Sequence, residues 1–207
     1  MKEKIISVIN QKGGVGKTTT VINLAAGLSL NGKKILVIDL DPQGNATTGL
    51  GLSNEADTSK SIYGVLNGKE EIQSSIQKTN FQNLDIVTSN VDLSGLEVET
   101  ADDENRAYLL KTKINAYLNN SSHPYDYVLI DCPPSLSLLT VMALVASDSL
   151  VVPLQTEFFA LEGITQLIKT IDRIKVGLNP NLSVRGILLT MYDKRNRLSA
   201  QVETDAR

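Results

Sequence analysis

The segment Lys12-Gly13-Gly14-Val15-Gly16-Lys17-Thr18-Thr19 holds the densest chemistry in the chain. Its glycines let a backbone close on an anion, because no Cβ stands between the amides and the ligand. Lys17 brings positive charge to phosphate oxygens, and the Thr18 hydroxyl suits Mg²⁺. The apolar run Ile5 to Ile9 precedes the segment and reads as a buried strand; Val21 to Leu28 follows and reads as a helix. Strand, glycine-rich turn and helix N-terminus together form a phosphate cradle. The common loop pattern has a glycine five residues before Gly16, but Gln11 stands there, and a second lysine, Lys12, opens the loop.

Asp39 and Asp41 lie two residues apart in Asp39-Leu40-Asp41-Pro42-Gln43-Gly44-Asn45. At the end of an extended strand both carboxylates point to one side. Beside a phosphate and Mg²⁺, such groups hold metal-bound water or orient an attacking water. Alone, Asp-Pro and Gly-Asn are ordinary turn formers; next to the phosphate loop we favour the functional reading. Tyr125 to Asp131 is an apolar strand closed by a carboxylate, the pattern of a Walker B residue. Pro133-Pro134-Ser135 then makes a rigid connector that could sense a γ-phosphate. Apolar strands ending in Asp are common, so Asp131 gains weight from that company.

These groups must be positioned by an α/β framework. Strands are expected at Ile5–Asn10, Ile35–Asp39, Leu84–Val87, Tyr127–Asp131, Ser149–Pro153 and Gly186–Thr190. Helices are expected at Thr18–Leu30, Ile62–Leu66, Glu70–Gln77, Glu104–Leu118, Leu138–Val145 and Leu161–Val176. Near-continuous apolar strands alternating with helices predict a mostly parallel sheet with helices on both faces. Such sheets place ligands at the C-terminal ends of their strands. Residues 10–18, 39–45 and 131–135 all follow such ends. The acidic stretch 92–104 reads as a solvated loop and helix start. Leu198 and Val202 begin a further helical pattern near the C-terminus.

At 207 residues the chain can bury a large core as one nucleotide-binding domain spanning 1–207. Its 42% hydrophobic and 21% charged content are globular values. Aromatic content of 4%, with no Trp, argues against stacking platforms for single-stranded nucleic acid. The net charge of -3 is uneven: residues 165–197 hold seven Lys/Arg and two Asp. A basic zone on an acidic chain is compatible with a DNA face, although composition alone favours a solvated surface. A single cysteine, Cys132, excludes a disulfide framework and a cysteine-rich metal site; it reads as a buried thiol. His123, the one histidine, reads as a loop residue. No apolar run approaches the ~20 residues of a membrane span, and Met1-Lys2-Glu3-Lys4 leads into too short an apolar run for a secretory signal. A soluble cytoplasmic protein is expected.

Residues 12–19 match the deviant Walker A loop of the ParA/MinD superfamily, whose mark is the additional lysine. Residues 39–45, 131–135, Val152-Pro153-Leu154-Gln155-Thr156-Glu157, Ala160-Leu161-Glu162-Gly163 and Thr190-Met191-Tyr192-Asp193-Lys194-Arg195 resemble the ParA/Soj partitioning branch specifically. The resemblance covers essentially the whole chain. It implies a P-loop NTPase fold and an ATP-sandwiched homodimer. Lys12 would reach the partner's phosphates, Lys17 would bind phosphates in cis, and Asp41 would position water. Gly13, Gly14, Val15, Gly16, Lys17, Thr18, Thr19 and Met191 would contact ATP. Thr18, Asp39 and Asp131 would hold Mg²⁺. The dimer would bind DNA without sequence preference, with Arg195 at a DNA-contacting position; local charge alone adds Lys169, Arg173 and Arg197 as candidates. A ParB-type protein would stimulate hydrolysis, and the protein would associate with the nucleoid. Such proteins continue for several tens of residues, so a C-terminal part is expected to be lacking.

Two other readings stay open. A MinD-type division-site ATPase would want a basic amphipathic C-terminal helix. A nucleotide-gated scaffold would hardly turn over, against which Asp41 argues.

Overall fold

The computed structural model describes residues 4–53, 58–120, 125–157 and 160–206. The strands are β1 (Ile5–Val8), β2 (Ile35–Asp39), β3 (Ile76–Lys78), β4 (Leu84–Val87), β5 (Tyr127–Asp131), β6 (Ser149–Gln155) and β7 (Ser183–Thr190). They form one seven-stranded sheet in the order β3-β4-β2-β5-β1-β6-β7. Every pairing is parallel except that of β3 with β4.

The strand sequences explain why the sheet is covered twice. In β2, Leu36 and Ile38 join one apolar cluster, and Ile35 and Val37 join another. In β5, Val128 and Ile130 divide from Leu129 in the same way. Alternate residues face opposite sides of a strand, so an unbroken apolar run needs a cover on each face. Helix α1 (Lys17–Leu30) covers one face with Val21 and Ala25. Helices α3 (Leu109–Asn120), α4 (Leu138–Ala146) and α5 (Ala160–Gly177) supply Leu110, Met142 and Leu167 to the other. Each such fully buried Leu or Ile contributes roughly 1.5–3 kcal/mol over its exposed state.

Most expected elements fall within a residue or two of the observed ones, and β2, β4 and β5 coincide. Three differ. The helix expected over Glu70–Gln77 is a single turn, Ile72–Ser75, followed by edge strand β3. Ile72 and Ile76 are four apart, which suits a helix, but Ile76 pairs antiparallel with Val87 and Lys78 ion-pairs with Asp85 at 2.7 Å. Tertiary pairing wins over local spacing. A short helix α2 (Asn45–Gly49) follows the 39–44 turn, entered through Gly44 at φ 63°. Strand β7 is not buried: as a sheet edge it leaves Val184, Ile187 and Leu188 between 37% and 47% exposed. Among the described residues no helix is long and apolar enough to cross a membrane. His123 lies outside the described residues.

Candidate functional site

Strands β2, β5 and β1 are neighbours in the sheet, so their C-terminal ends lie side by side. That adjacency brings residues 10–18, 39–45 and 131–135 to one place. Asp39 and Asp131 are directly opposite in the β2–β5 register.

The phosphate loop is held by side chains outside the glycine motif. Buried Asn10 accepts from the Lys12 amide at 3.0 Å and donates to the Pro153 carbonyl at 2.7 Å. Thr190, at the end of β7, donates to the Val15 carbonyl at 2.8 Å. Gln11 occupies the place of the usual first glycine and donates to the Gly163 carbonyl at 3.2 Å. Gly14 at φ 76° and Gly16 at φ 91° occupy the left-handed region, where other residues would be strained. Gly16 caps the fourteen-residue α1, whose first turn carries no acidic side chain. An anion therefore meets unopposed helix amides.

Lys17 is buried at 7% exposure and donates to the Lys12 carbonyl at 2.9 Å. Burial lowers its pKa, while Asp131 and Asp41 pull the other way. The Lys12 side chain is half exposed on the rim of the loop and ion-pairs with Glu157. A cavity of about 430 Å³ opens among Gly14, Lys17, Thr18, Asp41, Pro134 and Met191. A larger apolar groove of about 800 Å³ adjoins it between α1 and β7, sharing Gly16, Thr19 and Met191. The smaller space carries the charged groups, so we assign the phosphate chemistry there. Met191 borders both spaces and adopts φ 52°, a left-handed conformation unusual for an unbranched apolar residue. Its carbonyl accepts from Thr156 at 3.4 Å.

Asp131 and Asp39 divide in environment. Both Asp131 oxygens are sealed from solvent and accept no well-formed hydrogen bond among the described residues. Burial and the facing Asp39 push its carboxyl up to about 7, against the pull of nearby Thr18 and Lys17. Orphaned buried oxygens beside a hydroxyl are hard donors of the kind Mg²⁺ takes while keeping several waters. Thr18 and Asp131 thus fit the expected ion. Asp39, expected beside them, has its oxygens engaged elsewhere. Its Oδ2 accepts from the Thr47 amide and hydroxyl, and its Oδ1 accepts from the Asp41 amide. Burial raises its carboxyl to about 6, opposed by the Thr47 donors. Neither Asp39 nor Asp131 is part of the cavity wall; what separates them is that the Asp39 oxygens already have donors. Asp41 does line the cavity and is 6% exposed.

The remaining expected residues are scattered. Arg195 follows β7, is highly exposed and makes a bidentate pair with Asp193 at 2.8–3.3 Å. Lys169, Arg173 and Arg197 are exposed on α5 and at the start of α6 (Arg197–Ala206). Cys132 is buried as expected. Sequence reasoning missed Asn10, Thr47 and Thr190. Asn10 and Thr190 signalled themselves only by polarity at a strand end, and Thr47 only as a polar residue of a short helix; Pro153, Val15 and Ser89, which complete their bonding, lie far along the chain.

Residues 3–184 match the family model described as an AAA domain. Over 204 residues the chain is 49% identical to the chromosome partitioning protein ParA of Caulobacter vibrioides, covering 99% of this chain and 75% of that protein. It is 47% identical to the chromosome-partitioning ATPase Soj of Treponema pallidum, covering 96% of this chain and 76% of that protein. It is also similar to a crystal structure of cobyrinic acid a,c-diamide synthase from Mycobacterium smegmatis with bound ATP analogue and magnesium. There the TM-score is 0.90 at 38% identity, over 98% of this chain and 78% of that one. With this loop, this sheet and these relatives, the chain belongs to the ParA/Soj family of partitioning ATPases.

Proposed function

We propose that the chain is an ATP-hydrolysing switch for chromosome or plasmid partitioning. The observation that carries the reading is one cavity lined by the glycine loop, Lys17, Thr18 and Asp41, with the bare carboxylate of Asp131 behind them. Relatives that partition chromosomes and a neighbour crystallised with ATP analogue and magnesium support ATP and Mg²⁺ as its ligands. Loop amides and Lys17 bind the phosphates, and Asp41 orients the attacking water. Thr18 and Asp131 would hold Mg²⁺, which supplies charge neutralisation at the phosphates when bound. Met191 borders the space next to the loop and would contact the nucleotide. In the cycle we propose, ATP closes a homodimer that holds DNA without sequence preference. A ParB-type partner speeds hydrolysis and release, and the protein works in the cytoplasm on the nucleoid.

The experiment is a pair of titrations. ATP turnover with Mg²⁺ is measured with and without duplex DNA, and DNA retention is compared with ATP, ADP and no nucleotide. Turnover and retention that depends on ATP are expected. Retention indifferent to nucleotide would overturn the switch. ATP binding without turnover would favour the scaffold.

Lys12 and Arg195 carry the partner contacts in this reading. Lys12 sits on the rim, paired with Glu157, and Lys17 already serves the phosphates in cis. Lys12→Ala is expected to change nucleotide affinity by no more than about twofold, since an exposed ion pair contributes little. ATP-dependent dimerisation should fall sharply in light scattering. A variant that dimerises like the parent removes Lys12 from the interface.

For Arg195, DNA phosphate must displace Asp193, which now neutralises the guanidinium. Arg195→Glu is expected to weaken binding to every duplex while sparing ATP affinity. The salt dependence should lose about one unit of slope, because the contact is electrostatic and blind to sequence. Identical isotherms at two salt concentrations would leave the Lys194–Arg197 cluster as solvated surface.

A further inference from the structure

We propose that Thr47 is a positioning residue for hydrolysis: it clamps buried Asp39, and Asp39 closes the loop that presents Asp41 to the nucleotide. The proposal rests on the ATPase reading above. Asp39 ends β2 and is fully buried. Its Oδ2 accepts from the Thr47 amide at 2.8 Å and the Thr47 hydroxyl at 2.7 Å. Its Oδ1 accepts from the Asp41 amide at 3.2 Å. One carboxylate therefore ties both ends of the loop between residues 40 and 47.

The hydroxyl of Thr47 works in two directions. While donating to Asp39, its oxygen accepts from the Ser89 amide at 3.0 Å, just beyond β4. The loop is thus anchored to two strands of the sheet. Inside the loop, the Asp41 carbonyl accepts from the Gly44 amide at 2.9 Å, and Asp41 Oδ1 accepts from the Gln43 amide at 3.0 Å. The five residues of α2 are too few to order themselves without such ties. Asp41 must be held to within about 0.5 Å to orient water productively. Bonds to an ionised acceptor are the strong ones, and removing one leaves a buried charge short of a donor.

The test uses two substitutions in the whole chain. Thr47→Val keeps the shape and the amide but cannot donate or accept through a hydroxyl; Thr47→Ser can do both. Amide hydrogen exchange without nucleotide comes first. In Thr47→Val, the amides of Asp41, Gly44 and Thr47 are expected to exchange about 10-fold faster, with β1 and β5 unchanged. With Mg²⁺ and ATP, kcat should fall about 10-fold while KM and ADP affinity stay within about twofold. Thr47→Ser should restore both readouts. Parent-like exchange or kcat in Thr47→Val would overturn the clamp. So would faster exchange throughout the sheet, which marks a merely structural role, or a serine variant as impaired as the valine. A parent chain without turnover would overturn the ATPase reading and the catalytic part of this one; the exchange experiment would still judge the clamp.

Discussion

Lys17→Ala is expected to reduce affinity for both ATP and ADP by about 100-fold or more, equivalent to about 2.7 kcal/mol. The ammonium is buried in the mouth of the cradle, where it donates to the Lys12 carbonyl and faces Asp131 and Asp41. Burial disfavours its charge, and Asp131 and Asp41 offset only part of that cost. Phosphate oxygens answer that need with charge-assisted hydrogen bonds, each contributing roughly 1.5–3 kcal/mol. Alanine removes this partner and leaves two carboxylates facing incoming phosphate. Both nucleotides should suffer, because lysine acts on the bound phosphates and not only on the reacting one. Calorimetry with each nucleotide and Mg²⁺ measures the change. Unaltered affinities would show that the loop amides hold the phosphates alone, and the assignment of Lys17 would fail.

Asp41→Ala should separate binding from chemistry. Turnover is expected to fall on the order of 10²-fold or more, the usual scale for losing a positioned acid–base group. ATP affinity should hold or improve, since a negative charge leaves the wall of the phosphate space. In the proposed reading the carboxylate acts on water in the transition state rather than on the ground-state nucleotide, so its loss should appear in kcat. ATP-bound protein should then accumulate, visible as a persistent dimer in light scattering. Asp41→Asn keeps an acceptor for the Gln43 amide and distinguishes lost chemistry from a loosened loop. Equal turnover in the alanine variant and the parent would falsify the role.

The Lys12–Thr19 loop could be read directly from the sequence because its chemistry is local. Glycines, lysine and threonine act through their own backbone and the helix that follows, so order along the chain suffices. The alternating apolar faces of β2 and β5 were legible for the same reason: a strand has period two wherever it lies. Cys132, buried and alone, was equally plain.

Spacing alone did not separate Asp39 from Asp41; the family resemblance gave Asp41 the water and Asp39 the metal. Their spacing placed both on one side of a strand end, and both read as active carboxylates. Only the folded chain shows Thr47 turning back onto Asp39, which leaves Asp41 in the cavity wall. Asn10, Thr156 and Thr190 gained their functions likewise, from partners on strands or turns that local spacing does not reveal. Edge position decided the rest. Strand β3 exists because β4 offered it an unpaired edge, and β7 stays half exposed because it is itself an edge. Local sequence sets dihedral preference and facing. Which strand lies beside which is set by long-range pairing, and here the placing of β1 between β5 and β6, with β5 beside β2, made one site from three separate motifs.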